Sequence, residues 1–170
     1  IVGRDGVDKR IDVFATAIRA RMTVWDLQEL ELAYAPPYGS GKDPVNMAGF
    51  VAGNILDGTA AVKHFEQLNG QLLLDVRSPG EVKRGAIPGA VNIPVDKLRQ
   101  RVDELPRDET IPVYCAVGIR SYIASRILRQ KGIDATSVSG GYSTYLARTS
   151  EKLLEGRSAR QLRDEFCTGL

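Results

Sequence analysis

From Ile111 to Tyr122 the chain reads I-P-V-Y-C-A-V-G-I-R-S-Y: an apolar run ending on a cysteine, a short turn holding glycine and arginine, then a helix-forming segment. The pattern predicts a buried strand that hands over to a helix through a tight loop. Such a turn aims several backbone N–H groups, and the positive end of the helix dipole, at whatever sits on the cysteine sulfur. The expected product is an anion cradle built around a thiol.

The chemistry follows from the residue types. An ordinary thiol is only about 3% ionised at pH 7, and lowering its pKa by roughly two units, about 2.7 kcal/mol, makes most of it thiolate. Amides, helix dipole and arginine together are able to supply that. Gly118 lets the loop backbone turn inward without a Cβ, and Arg120 carries a planar fork of donors suited to an oxyanion. The single histidine, His64, lies in a separate helix-like stretch and is read as a helix-surface residue, so imidazole activation of Cys115 is not expected.

Loop length sorts the reactions. Phosphatase-type cradles, which hold phosphate or arsenate, resemble one another in placing five residues between cysteine and arginine. Here four intervene, Ala116, Val117, Gly118 and Ile119, and Ser121 occupies the next register. The shorter ring suits one extra sulfur atom, so persulfide chemistry is favoured over phosphate chemistry.

The surroundings carry a resemblance. Gln71-Leu-Leu-Leu-Asp75-Val-Arg77 has buried-strand character; Glu81 to Pro94 reads E-V-K-R-G-A-I-P-G-A-V-N-I-P, followed by a helix-like stretch to Leu105; and Gly140-Gly141-Tyr142 lies beyond the cysteine loop. As a set, over about residues 59 to 150, these resemble a single-domain rhodanese. The resemblance implies an α/β fold, a five-stranded parallel sheet with helices on both faces and the active loop at its carboxyl edge. It also implies that Cys115 carries a persulfide held by the loop amides, Arg120 assisting, and that Asp75 and Arg77 organise the fold. Rhodaneses that use thiosulfate often have a basic residue directly after the cysteine. This chain has Ala116, which turns the expected donor toward an organic persulfide.

The first third is organised differently. Ile11, Phe14, Ile18 and Met22 fall at helical spacing, and Thr23-Val-Trp-Asp26 has the pattern of a capping box opening a short second helix. Asp43-Pro44 supplies a cap and first-turn proline for a third, with Ala48, Val51, Ala52 and Ile55 as its expected apolar face and Gly58 as its end. Leu30-Glu-Leu-Ala-Tyr34-Ala-Pro36-Pro37-Tyr38-Gly, followed by Lys42-Asp43-Pro44-Val-Asn46-Met-Ala-Gly49, resembles the end of the dimerisation domain of FAD-dependent pyridine nucleotide–disulfide oxidoreductases of the coenzyme A-disulfide reductase and NADH oxidase branch. That resemblance implies a mostly helical piece of an α+β domain over residues 1–57, a homodimer, and Tyr34 and Tyr38 reaching the partner subunit's flavin and thiol site. The organisation expected is thus 1–57, a rhodanese-like domain over 58–150, and a polar tail over 151–170.

No Gly-x-Gly-x-x-Gly follows a strand, so no cofactor is expected on this chain alone; FAD, NAD(P)H and coenzyme A are implied for a longer parent, of which a chain starting at Ile1 without methionine is read as the C-terminal piece. No apolar run approaches a membrane span, and two cysteines, Cys115 and Cys167, are too few for a disulfide framework, which fits a cytoplasmic protein. Residues 1–58 carry 6 basic and 8 acidic side chains, net −2, and the remainder 17 and 13, net +4, with no basic footprint for nucleic acid. The mild tilt favours anionic donors. Past Gly156, Ala159, Leu162 and Phe166 suggest a short helix, with Cys167 weighed as a resolving thiol or an idle surface group. One histidine and two distant cysteines make no metal site.

The sequence therefore predicts a sulfurtransferase module of a flavin-dependent reductase acting on coenzyme A disulfide, coenzyme A persulfide or polysulfide. Its donors would be a coenzyme A persulfide, a polysulfide or thiosulfate. The competing reading is a non-catalytic module that docks the coenzyme or steadies the dimer.

Overall fold

The computed structural model describes residues 1, 3, 5–35, 39, 41 and 43–155, with 150–155 described by backbone alone. Tyr38, Cys167 and the helix expected beyond Gly156 lie outside the described residues. The chain divides into two compact units, Ile1–Thr59 and Ala60–Leu170.

The first unit holds α1 (Val7–Arg19), α2 (Val24–Gln28) and α3 (Pro44–Leu56). The capping box forms as the spacing requires, with the Thr23 N–H on the Asp26 carboxylate and the Asp26 N–H on the Thr23 hydroxyl. Asp43 caps α3 through Val45 N–H at 2.9 Å, with Pro44 in the first turn. Asn46 ties α3 to the chain leaving α2, its amide donating to the carbonyls of Leu27 and Leu30.

Two expected apolar faces turn out differently. Ala17 is the buried residue of α1, while Ile11 and Ile18 are exposed. On α3 the buried positions are Val45, Gly49 and Gly53, while Ala48, Val51 and Ile55 are exposed. The reason is distance: a β-carbon on Gly49 would stand 2.9 Å from the Gln28 nitrogen and the Val24 carbonyl oxygen, so the glycine stripe alone lets α3 approach α2. Hydrophobicity picked the bulkier stripe, and backbone contact picked the smaller one.

The second unit is built on five parallel strands, β1 (Val62–Lys63), β2 (Leu74–Asp75), β3 (Val91–Asn92), β4 (Ile111–Tyr114) and β5 (Ala135–Val138), ordered β1-β5-β4-β2-β3. Every residue of β4 and β5 is buried, so both faces of the sheet are covered there. The helices are α4 (Pro79–Lys83), α5 (Ile119–Gln130), which packs on β4 and β5, and α6 (Gly141–Glu155). Leu74, Val76, Ile93, Leu98, Ile111, Val113, Leu128 and Ile133 form the core.

The helix-like stretch ending at Leu105 is instead a chain of turns with one 3-10 turn, Val102–Glu104. Its bonds run mainly three residues back, Lys97 to Pro94 and Gln100 to Lys97, which lets Leu98, Val102 and Leu105 all reach the core. His64 likewise precedes a 3-10 turn, Phe65–Gln67, and is exposed.

Candidate functional site

The central place of β4 puts Cys115 at the carboxyl end of the sheet, and the chain then turns within three residues into α5. Gly118 makes that turn possible with φ +150°, a region a side chain would resist. The helix begins at Ile119, so Arg120 stands inside its first turn rather than closing the loop ahead of it.

Cys115 is 1% exposed, yet its sulfur faces donors: the Gly118 N–H lies 3.1 Å from Sγ. Burial pushes the thiol pKa up, but the N–H groups of Ser121, Val117 and Gly118 outweigh it and lower the pKa overall. The sulfur therefore sits buried and biased toward the anion, which is the combination a nucleophilic thiol needs. The Ser121 hydroxyl is itself positioned by the Gly118 carbonyl at 2.8 Å and by Ser137 at 2.9 Å. Ala116 is half-buried, whereas the side chains of Val117 and Ile119 are 60% and 72% exposed.

The loop is held from behind by α6. The N–H groups of Tyr142 and Ser143 donate to the carbonyls of Cys115 and Ala116 at 2.8 and 3.0 Å. With those carbonyls drawn toward α6, the loop's own amides are free to face the sulfur. The approach needs Gly141, whose absent β-carbon would come within 2.9 Å of the Ala116 carbonyl oxygen and closer still to that of Cys115.

Asp75 and Arg77 form a buried ion pair at 2.6 Å, 1% and 3% exposed, with the guanidinium also donating to the Gly85 carbonyl. Arg77 stacks 4.0 Å above the Tyr142 ring, and so connects this pair to the residue that bonds Cys115. Asn92 closes the corner by donating to the carbonyls of Asp75 and Arg77.

Glu81 is the site residue the sequence did not single out. Both of its oxygens meet the two terminal nitrogens of Arg120 at 2.7 Å. The Arg120 pair is the main cause that holds the Glu81 carboxyl far below the usual carboxylate range. The pairing with Glu81 in turn raises the Arg120 pKa, with the neighbouring Cys115 thiolate adding to it. A signal for Glu81 as a cap was present: Ser78-Pro79-Gly80-Glu81 is a capping-box spacing, and the box forms, fixing the carboxylate at the N-terminal turn of α4.

The structure thus places Cys115, Ala116, Val117 and Gly118 in the turn after β4, and Ile119, Arg120 and Ser121 in the first turn of α5 beside it. Tyr34 belongs to the other unit, where its exposed ring helps line a groove of about 350 Å³ with Asn46 and Phe50. Among the described residues no three or more His, Cys, Asp or Glu side chains cluster as metal ligands, and no helix is long and apolar enough to cross a membrane.

Known proteins resemble this chain in sequence and in fold. The Rhodanese-like domain profile matches residues 59–148. A sulfurtransferase of Allochromatium vinosum is 34% identical over 79 residues, 46% of this chain and 74% of that protein. A coenzyme A disulfide reductase of Staphylococcus aureus is 55% identical over 51 residues, 30% of this chain but 12% of the relative. The crystal structure of reduced Bacillus anthracis CoADR-RHD superposes with a TM-score of 0.81 at 51% identity, covering 84% of this chain and 27% of that one. A NAD-dependent persulfide reductase from A. fulgidus superposes with a TM-score of 0.75 at 44% identity, covering 83% and 26%. The chain therefore spans about a quarter of the solved structures it matches along most of its length.

Proposed function

The chain belongs to the Rhodanese-like domain family, and from that premise we propose that it is a sulfurtransferase module in which Cys115 accepts a sulfane sulfur and carries it as a persulfide. The observation that carries this reading is the buried Cys115 sulfur, 3.1 Å from the Gly118 N–H and lowered in pKa by the loop amides. In the step proposed, the Cys115 thiolate attacks the outer sulfur of an organic persulfide R–S–SH. A bond forms between the Cys115 sulfur and that outer sulfur, the donor's own S–S bond breaks, and R–S⁻ departs with the electron pair. The loop amides stabilise the charge on the sulfur before and after transfer. Arg120 supports the same charge from the first turn of α5.

In the same proposal the module serves a longer protein, an FAD- and NAD(P)H-dependent reductase of coenzyme A disulfide, coenzyme A persulfide or polysulfide. The named relatives support this, as does the match of both units to the CoADR-RHD structure. Tyr34 and Tyr38 would serve a partner subunit's site in a cytoplasmic homodimer. Two strand-to-helix turns have N–H groups already engaged: after β2 the Ser78 and Glu81 N–H groups are taken by the Glu81 and Ser78 side chains, and after β4 the Gly118 N–H faces Cys115. The flavin and nicotinamide would be held by other parts of the protein, and the sulfur transfer itself runs through neither.

The test is sulfur transfer from 2-hydroxyethyl persulfide to cyanide, read as thiocyanate. Wild type is expected to turn over and Cys115→Ser to be inactive. An inactive, folded wild type would favour a docking module instead.

A further inference from the structure

We infer that Glu81 sets which sulfur donors the Cys115 loop accepts: by pairing with both terminal nitrogens of Arg120 it offsets that cation, leaving enough to support a single charge on the transferred sulfur but no surplus for a doubly charged inorganic donor, and so selects for donors that leave as organic thiolates. The inference rests on the reading of Cys115 as the sulfur carrier.

Three features of the structure carry it. The ion pair is two-pronged, with both contacts at 2.7 Å, so two of the five N–H donors of Arg120 are held by Glu81 and its charge is offset, although the side chain stays about a third exposed. The carboxylate is anchored on its other side, its Oε2 accepting from the Ser78 N–H at 3.0 Å and the Ser78 hydroxyl at 2.8 Å, which holds it where Arg120 meets it. And the rest of the loop adds no charge: Ala116 follows the cysteine, and the exposed side chains are Val117 and Ile119. An incoming thiosulfate would bring two negative charges to an ion pair whose net charge is zero, with the fixed carboxylate repelling it. An alkyl persulfide carries at most one charge, on the sulfur being transferred, and its carbon chain suits the apolar rim. Discrimination by a fixed like charge is a common way to exclude a competitor without improving the fit of the preferred ligand.

The test compares kcat/KM for thiosulfate and for 2-hydroxyethyl persulfide in wild type, Glu81→Gln and Glu81→Asp. Glutamine keeps the size and the capping bond to the Ser78 N–H while removing the charge. The expected result is that Glu81→Gln raises the thiosulfate-to-persulfide ratio about tenfold, through a lower KM for thiosulfate, and that Glu81→Asp stays near the wild-type ratio. Equal losses with both donors would mean that Glu81 only supports the loop, and would overturn the inference. Failure of the underlying reading looks different: wild type would then turn over neither donor, and the inference would fall with it.

Discussion

Gly141 and Cys115 lie so close that a β-carbon on the glycine would press into the cysteine's carbonyl oxygen, while the next residue, Tyr142, donates its N–H to that same oxygen at 2.8 Å. The thiol loop is thus shaped by a helix start more than twenty residues downstream. Gly141 also has φ +54°, which costs a side-chain-bearing residue about 1–2 kcal/mol by itself. Gly141→Ala is expected to lower stability by at least that much in urea melts and to slow sulfur uptake on the order of 10- to 100-fold through displacement of the loop.

The direction of the Cys115 pKa gives a second expectation. Because it is lowered, the thiolate persists, and alkylation by iodoacetamide continues, at pH values where an ordinary cysteine has become unreactive. Ser121→Ala removes the hydroxyl that braces the amide-bearing turn through the Gly118 carbonyl and Ser137. The pH midpoint of alkylation should move up in that variant.

The buried Asp75–Arg77 pair should behave as a unit. Arg77→Met leaves a carboxylate buried without its partner and is expected to cost about 3–5 kcal/mol, whereas Asp75→Asn with Arg77→Met should cost less than the sum of the two. Denaturant titration of the two single variants and the double variant checks this.

Glu81 ties the site to acid stability. Its pKa is lowered in the fold, so its ion pair contributes stability that is whole above about pH 5 and is lost as the pH falls toward the folded-state value. Wild type should therefore exceed Glu81→Gln in urea stability at neutral pH by a margin that shrinks in acid. A margin that grows in acid would contradict the assignment.

Much of the site was legible because it is local. Strand, cysteine, Gly118 and helix follow one another within a dozen residues, and their hydrophobic pattern and turn chemistry specify the loop. The Thr23 and Asp43 caps were legible for the same reason. For Glu81 the spacing from Ser78 signalled a cap but not the pairing with Arg120, since nothing in the sequence says that a capping glutamate 39 residues upstream will face Arg120 across a sheet edge. The roles of Gly141 and Tyr142 needed the crossover that lays α6 against the loop. The α3 face was misread because helical periodicity ranks residues by hydrophobicity, while the packing of α2 on α3 is decided by how closely two backbones can approach at Gly49 and Gly53. The stretch before Leu105 was read as helix because its apolar spacing is close to helical, and successive three-residue turns satisfy the same spacing.

The most direct measurement is the intact mass of the protein after incubation with polysulfide and removal of excess reagent. The account predicts a gain of one sulfur atom in wild type, localised to the peptide containing Cys115, reversed by cyanide, and absent in Cys115→Ser. An unmodified wild type, or a sulfur retained in Cys115→Ser, would contradict it.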